Sequence, residues 1–70
     1  MKLVDNKNRK VKVGDKVRTI EDIPSENRML NKNSIVKLDE WNDSTKKMRV
    51  TDSLGKVWWV ESSQISASYL

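Results

Sequence analysis

Residues 46–65, KKMRVTDSLGKVWWVESSQI, constrain the fold more than any other stretch, because their side chains alternate with a period of two on both sides of a turn signal. Met48 and Val50, continued by Asp52, share one side of an extended segment, and Arg49 and Thr51 share the other, as in a half-buried strand. Asp52-Ser53-Leu54-Gly55 then supplies turn chemistry: Asp and Ser bond nearby backbone, and Gly55 accepts a positive φ that a side chain resists. Lys56-Val57-Trp58-Trp59-Val60 resumes with β-branched and aromatic residues that suit a pleated, packed surface. A β-hairpin is the expectation. Within its second strand, Trp58 and Val60 face one way and Val57 and Trp59 the other, and alternation alone leaves open which side is the core.

Size limits what such a hairpin can be part of. The chain has 70 residues, enough for one domain with a thin margin of stability, since domains of about 60 residues bury only about 60% of their unfolded surface. It contains no cysteine and no histidine, so neither a disulfide nor a zinc site can staple it. No apolar run approaches the roughly 20 residues that cross a bilayer, and residues 1–10, MKLVDNKNRK, lack the apolar stretch of a signal peptide. A cytoplasmic monomer with no membrane partner is expected.

The formal charge of +4 is unevenly spread. Residues 1–18 carry seven basic side chains (Lys2, Lys7, Arg9, Lys10, Lys12, Lys16, Arg18) against Asp5 and Asp15, and the rest of the chain is close to neutral. The basic character belongs to one end, unlike that of a uniformly basic nucleic-acid binder.

Taken in order, residues 1–10 are expected as a basic N-terminal arm, loose from about Asp5 to Lys10, or as an added edge strand through Leu3 and Val4. Residues 11–70 make the β-domain. Val11 and Val13 alternate with lysines, Gly14-Asp15 turns the chain, and Val17 and Thr19 restart the alternation. Residues 21–33 are polar and read as a long loop, with Pro24 opening a single helical turn and Ile23 and Leu30 anchoring the loop to the core. Ser34-Ile35-Val36-Lys37-Leu38-Asp39 reads as a strand with Val36 and Leu38 on one side and Trp41 at its end; Asn42-Asp43-Ser44-Thr45 is a turn. Glu61-Ser62-Ser63-Gln64-Ile65 is too short for an α-helix and reads as one 3-10 turn, and residues 66–70 as a last short strand.

Two of these segments carry a family resemblance. Val13-Gly14-Asp15-Lys16-Val17 resembles the V-G-D-x-V opening of prokaryotic SH3-like, KOW-type and Tudor-type barrels, and Val60-Glu61-Ser62-Ser63-Gln64-Ile65 resembles the strand, 3-10 turn and strand that close an SH3 barrel. Trp58-Trp59 is similar to the tryptophan pair of eukaryotic SH3 domains, but in those a further hairpin follows, whereas here only eleven residues remain. The acidic-aromatic opening of peptide-binding SH3 domains is also absent, so their proline-rich ligand is not carried over. The resemblance implies an all-β fold, a single small SH3-like barrel of about five antiparallel strands with one short 3-10 turn, of the stand-alone kind found in bacteria and phages. It places Val60 inward, which turns Trp58 inward and Trp59 outward.

The chemistry available to such a domain is narrow. Without histidine or cysteine the commonest general base, the thiol nucleophile and the usual transition-metal ligands are missing. Glu21-Asp22 and Asp39-Glu40 are adjacent carboxylates, but neighbours in a strand point to opposite faces and share neither a proton nor a metal. Gly14 and Gly55 serve turns, not a phosphate loop. No enzymatic activity, metal or cofactor is expected. The expectation is a binding module for a protein partner, an adaptor or inhibitor, acting through Trp59, Trp41, Arg49, Lys47, Lys12, Lys16 and Arg18. The alternative is a nucleic-acid-binding domain in which those cations track phosphates and an exposed tryptophan stacks on a base.

Overall fold

The computed structural model describes residues 3–67, and in them the alternating segments form seven strands and one 3-10 turn. Five strands, β1 (Lys16–Thr19), β4 (Ile35–Asn42), β5 (Lys47–Thr51), β6 (Val57–Val60) and β7 (Ile65–Ser66), make one antiparallel sheet in the order β6-β5-β4-β1-β7. The strands β2 (Ile23–Ser25) and β3 (Arg28–Leu30) pair with each other in a separate hairpin, and the 3-10 turn Ser62–Gln64 links β6 to β7. The fold is all-β with antiparallel strands and one 3-10 turn, as expected, and neither sheet closes into a barrel. The reason is local: β7 is two residues long and the chain between it and β6 is taken up by the turn, so no ladder joins the two edges.

Register decides which side chains meet. Val17 pairs with Val36, Leu38 with Val50, Val50 with Trp58, Met48 with Val60 and Thr19 with Ile65, so all of these share the inner face. The expected core of Val17, Val36, Leu38, Met48, Val50, Val60 and Ile65 is no more than 1% exposed, and Trp58 is 5% exposed. At about 1.5–3 kcal/mol for each large side chain fully buried, this inner face is the main source of stability. Trp58 is the inward ring and Trp59 the outward one, as the closing-segment resemblance implied.

Residues 21–33 depart from the expected loop with a helical turn. They form the β2–β3 hairpin, in which Pro24 pairs with Met29. A two-stranded sheet consists only of edges, where a residue without an N–H is tolerated. Ile23 and Leu30, opposite each other and 4% exposed, join the core and anchor the hairpin as expected. Thr19 fixes the chain that follows: its buried hydroxyl donates to the Asn31 carbonyl (2.9 Å) and accepts from the Ser34 N–H (2.9 Å).

The segment expected as a loose basic arm is closed into a loop instead. Val4 bridges Lys10, the Val11 N–H donates to the Leu3 carbonyl (3.0 Å), and the Asn6 N–H donates to the Ile65 carbonyl (2.9 Å). At its centre Asp5 is 2% exposed. Asp5 Oδ1 accepts the N–H groups of Lys7 (3.0 Å) and Arg9 (2.8 Å), and Oδ2 accepts Arg9 Nε (2.8 Å) and the Ala67 N–H (2.8 Å). Burial pushes this carboxyl up, but the backbone donors at Ala67, Arg9 and Lys7 and the Arg9 guanidinium outweigh it and hold the pKa down at about 2. One carboxylate therefore ties the first described residues to the last. Of the strand expected over residues 66–70, Ser66 belongs to β7 and residues 68–70 lie outside the described residues.

Candidate functional site

The outer face of the five-stranded sheet gathers most of the residues expected to bind a partner. Cross-strand rows run Lys16–Lys37–Thr51–Val57 and Glu40–Arg49–Trp59, with Lys47 opposite Asn42 beyond them and Arg18 opposite Ile35 and Ser66 at the other end. Trp59 is 42% and Val57 46% exposed, side by side on β6. Thus Trp59, Arg49, Lys47, Lys16 and Arg18 do share one face. Lys12 does not. It lies in the turn before β1, where its N–H donates to Asp15 Oδ2 (3.0 Å).

Trp41, also expected to bind the partner, lies on the opposite face. A β-bulge between Leu38 and Glu40 inserts one residue into β4, so Trp41 pairs with the buried Met48 and packs against the core. Strict alternation from Ile35 would have turned Trp41 outward; the extra residue reverses its side. Its indole Nε1 donates to Asp43 Oδ1 (3.2 Å), and with the Lys46 ammonium nearby this holds the Asp43 carboxyl below the usual carboxylate range.

The same bulge overturns the reading of Asp39 and Glu40 as carboxylates on opposite faces. Both converge on one guanidinium: Arg49 Nη2 lies 3.0 Å from Glu40 Oε1, and Arg49 Nε lies 3.9 Å from Asp39 Oδ2. The Thr51 hydroxyl also donates to Asp39 Oδ2. Arg49 is therefore a fixed, largely compensated charge beside Trp59, whereas Lys16, Lys37 and Lys47 have no ion-pair partner among the described residues.

A third feature of the site is the free side of β6. The Asp52 N–H donates to the Lys56 carbonyl (2.9 Å), which sets the phase of the β5–β6 ladder. In that phase Val50/Trp58 and Met48/Val60 exchange backbone bonds, while the N–H and C=O groups of Val57 and Trp59 point away from β5. Among the described residues no backbone group bonds to them. The two outward apolar side chains and the two pairs of unfilled backbone groups thus belong to the same residues.

Behind β6, Trp58 is held from two sides. Its Nε1 donates to Asp52 Oδ2 (3.0 Å), and the Arg28 guanidinium stands 5.0 Å from its ring centroid. Asp52 Oδ1 also accepts the N–H groups of Leu54 and Lys56 (2.9 Å each), and Gly55 turns the hairpin at φ 81°. The Trp58 indole is the main cause of an Asp52 pKa below the usual carboxylate value; burial opposes it, and the backbone donors and the Lys56 charge reinforce it. These bonds make the hairpin that carries Trp59 a rigid support. Among the described residues, no helix is long and apolar enough to cross a membrane. No known protein family, curated protein or solved structure matches the chain.

Proposed function

We propose that the chain is a non-catalytic binding module of the SH3-like kind that takes a protein partner along β6, with Trp59 as the anchor. The observation that carries this reading is the coincidence on β6 of a half-exposed indole, a neighbouring exposed valine and an unfilled backbone edge. An extended partner segment laid on that edge gains main-chain hydrogen bonds and a side-chain anchor together. The indole offers a broad apolar surface with a donor N–H, and Arg49 with its two carboxylates forms a fixed polar rim. The SH3-like assignment is supported by the strand order β6-β5-β4-β1-β7, by the long excursion between β1 and β4, and by the 3-10 turn before the last strand.

A second reading, nucleic-acid binding, is favoured by one observation. Lys16 and Lys37 stand directly opposite each other on the same outer face, a like-charge pairing that costs stability and that a phosphate would relieve.

Trp59→Ala separates fold from function. The expected result is a change in stability within about 1 kcal/mol, because the ring is half in solvent and not part of the core, together with at least about tenfold weaker capture of the partner, as for a central aromatic anchor. Affinity capture is run with and without nuclease. A partner protein retained after nuclease and lost in Trp59→Ala supports the main reading. Capture that disappears with nuclease and falls steeply with salt replaces it with the second.

A further inference from the structure

Four cations surround a groove that the proposed partner surface does not use. Lys7 and Arg9 come from the N-terminal loop, Arg18 from β1 and Lys32 from the loop before β4, and Asn6, Asn33, Ile20 and Ser66 complete the lining. The groove has a volume of about 530 Å³, within the range of small-ligand sites. Among the described residues no carboxylate lines it. Asp5, at the centre of the N-terminal loop, is already engaged by the Arg9 guanidinium and three backbone N–H groups, and Asp22 Oδ1 accepts the Lys32 backbone N–H (2.7 Å).

A surface rich in lysine ordinarily owes its charge to solubility alone. Here the two arginines are held in place before any ligand arrives. Arg9 is fixed through Nε by Asp5 Oδ2 (2.8 Å) and through Nη2 by Ser66 Oγ (3.0 Å). Arg18 is fixed through Nη1 by Asn33 Oδ1 (3.0 Å), while its Nε is buried with no hydrogen-bond partner. Arg18, Lys7 and Lys32 have no ion-pair partner among the described residues. Both bordering loops turn through asparagines in the left-handed region, Asn8 at φ 59° and Asn33 at φ 70°, a conformation asparagine tolerates better than most residues. The loops are thereby set in shapes that hold the cations around one space.

From this arrangement we infer that the groove binds a phosphate group, with Arg18 and Arg9 as the oriented guanidinium donors and Lys7 and Lys32 as closing charges. Guanidinium planes match the oxygens of phosphate, and donors held beforehand lose less freedom on binding. Among the described residues no aromatic ring lines the groove, so this lining offers an attached base nothing to stack on. The ligand is recognised by its phosphate, whether free or carried by a nucleotide.

The test is a titration of the full chain with sodium pyrophosphate, and in parallel with ADP and with succinate, followed by backbone amide NMR shifts at constant ionic strength. Saturable shifts centred on Asn6, Lys7, Arg9, Arg18, Lys32 and Asn33 are expected. Pyrophosphate and ADP should bind within about threefold of each other, and succinate at least about tenfold more weakly, since a dicarboxylate lacks the compact cluster of oxygens that phosphate presents. Arg18→Gln should weaken pyrophosphate at least about tenfold, as for loss of a charge-assisted hydrogen bond. Lys32→Gln, in an exposed loop where only the backbone N–H is bonded, should weaken it about threefold with the fold intact. Trp59→Ala should bind pyrophosphate as the parent does, which keeps this site distinct from the β6 surface. Shifts that do not saturate, equal binding of succinate, binding of ADP without pyrophosphate, or a Lys32→Gln variant of unchanged affinity would each overturn the inference.

Discussion

Trp58→Ala is expected to lower the unfolding free energy by about 3–5 kcal/mol, the cost of truncating a core aromatic. For a chain of 70 residues, stabilities of about 0.05–0.15 kcal/mol per residue make that loss comparable to the whole. The substitution removes more than apolar area. It leaves Asp52 Oδ2 without the indole donor and takes the ring from beneath Arg28. The measurement is urea unfolding followed by circular dichroism, with Trp58→Phe as the control. Phenylalanine keeps most of the ring but not the N–H, so it should cost about 1–2 kcal/mol and remain folded. A Trp58→Ala protein with an unchanged midpoint would show that the inner face does not rest on this ring.

The second large effect belongs to Asp5. Asp5→Ala should cost about 1–3 kcal/mol, as when a buried acceptor is removed and its donors are left unsatisfied, because Lys7, Arg9 and Ala67 lose their acceptor at once. The parent protein carries a matching pH dependence. Its folded-state carboxyl titrates at about 2, below the unfolded value of about 3.9. The stabilisation is therefore complete above about pH 5 and is lost as pH falls towards the folded value. For a shift of this size the loss amounts to about 2.6 kcal/mol in all by about pH 1. Asp52 and Asp43, also lowered, add in the same direction. Asp5→Asn removes the titration but keeps an oxygen for the loop. Its unfolding midpoint should start lower at pH 7 and decline less in acid. Parallel declines for the two proteins would place the acid sensitivity elsewhere.

How much of this was legible depended on whether the signal was local. The core positions of β5 and β6 follow from alternation within nine or so residues, a spacing that backbone geometry imposes directly. The side that Trp41 takes was not legible, because one inserted residue in β4 reverses every later side chain and nothing in Asp39-Glu40 marks a bulge. The β2–β3 hairpin was hidden because only Ile23 and Leu30 of its six strand residues are buried, leaving too few apolar positions to show a period. Asp5 looked like one more charge on a basic arm. Its acceptors are filled partly by Arg9, four residues on, and partly by Ala67, 62 residues on, and the second of these has no trace in the neighbouring sequence. The phosphate groove was divided the same way: Lys7, Arg9, Arg18 and Lys32 come from three separate segments, and only the tertiary fold brings them to one space.

The clasp at Asp5 also bears on the order in which the molecule assembles. The hairpin of β5 and β6 closes over a handful of residues, whereas the bonds from Arg9 to Ser66 and from Ala67 to Asp5 span 57 and 62 residues. Contacts of such separation gain nothing until the intervening chain has collapsed, because the entropy of closing the loop is lost first. The clasp is thus expected to form late, after the transition state, so that its energy adds to the unfolding barrier. Asp5→Asn should accordingly speed unfolding and leave the refolding rate nearly unchanged in stopped-flow chevrons, and a slowed refolding arm would instead put the joined ends in the folding nucleus. On this reading the latch that stabilises the sheet least in kinetic formation governs how long it stays folded once formed.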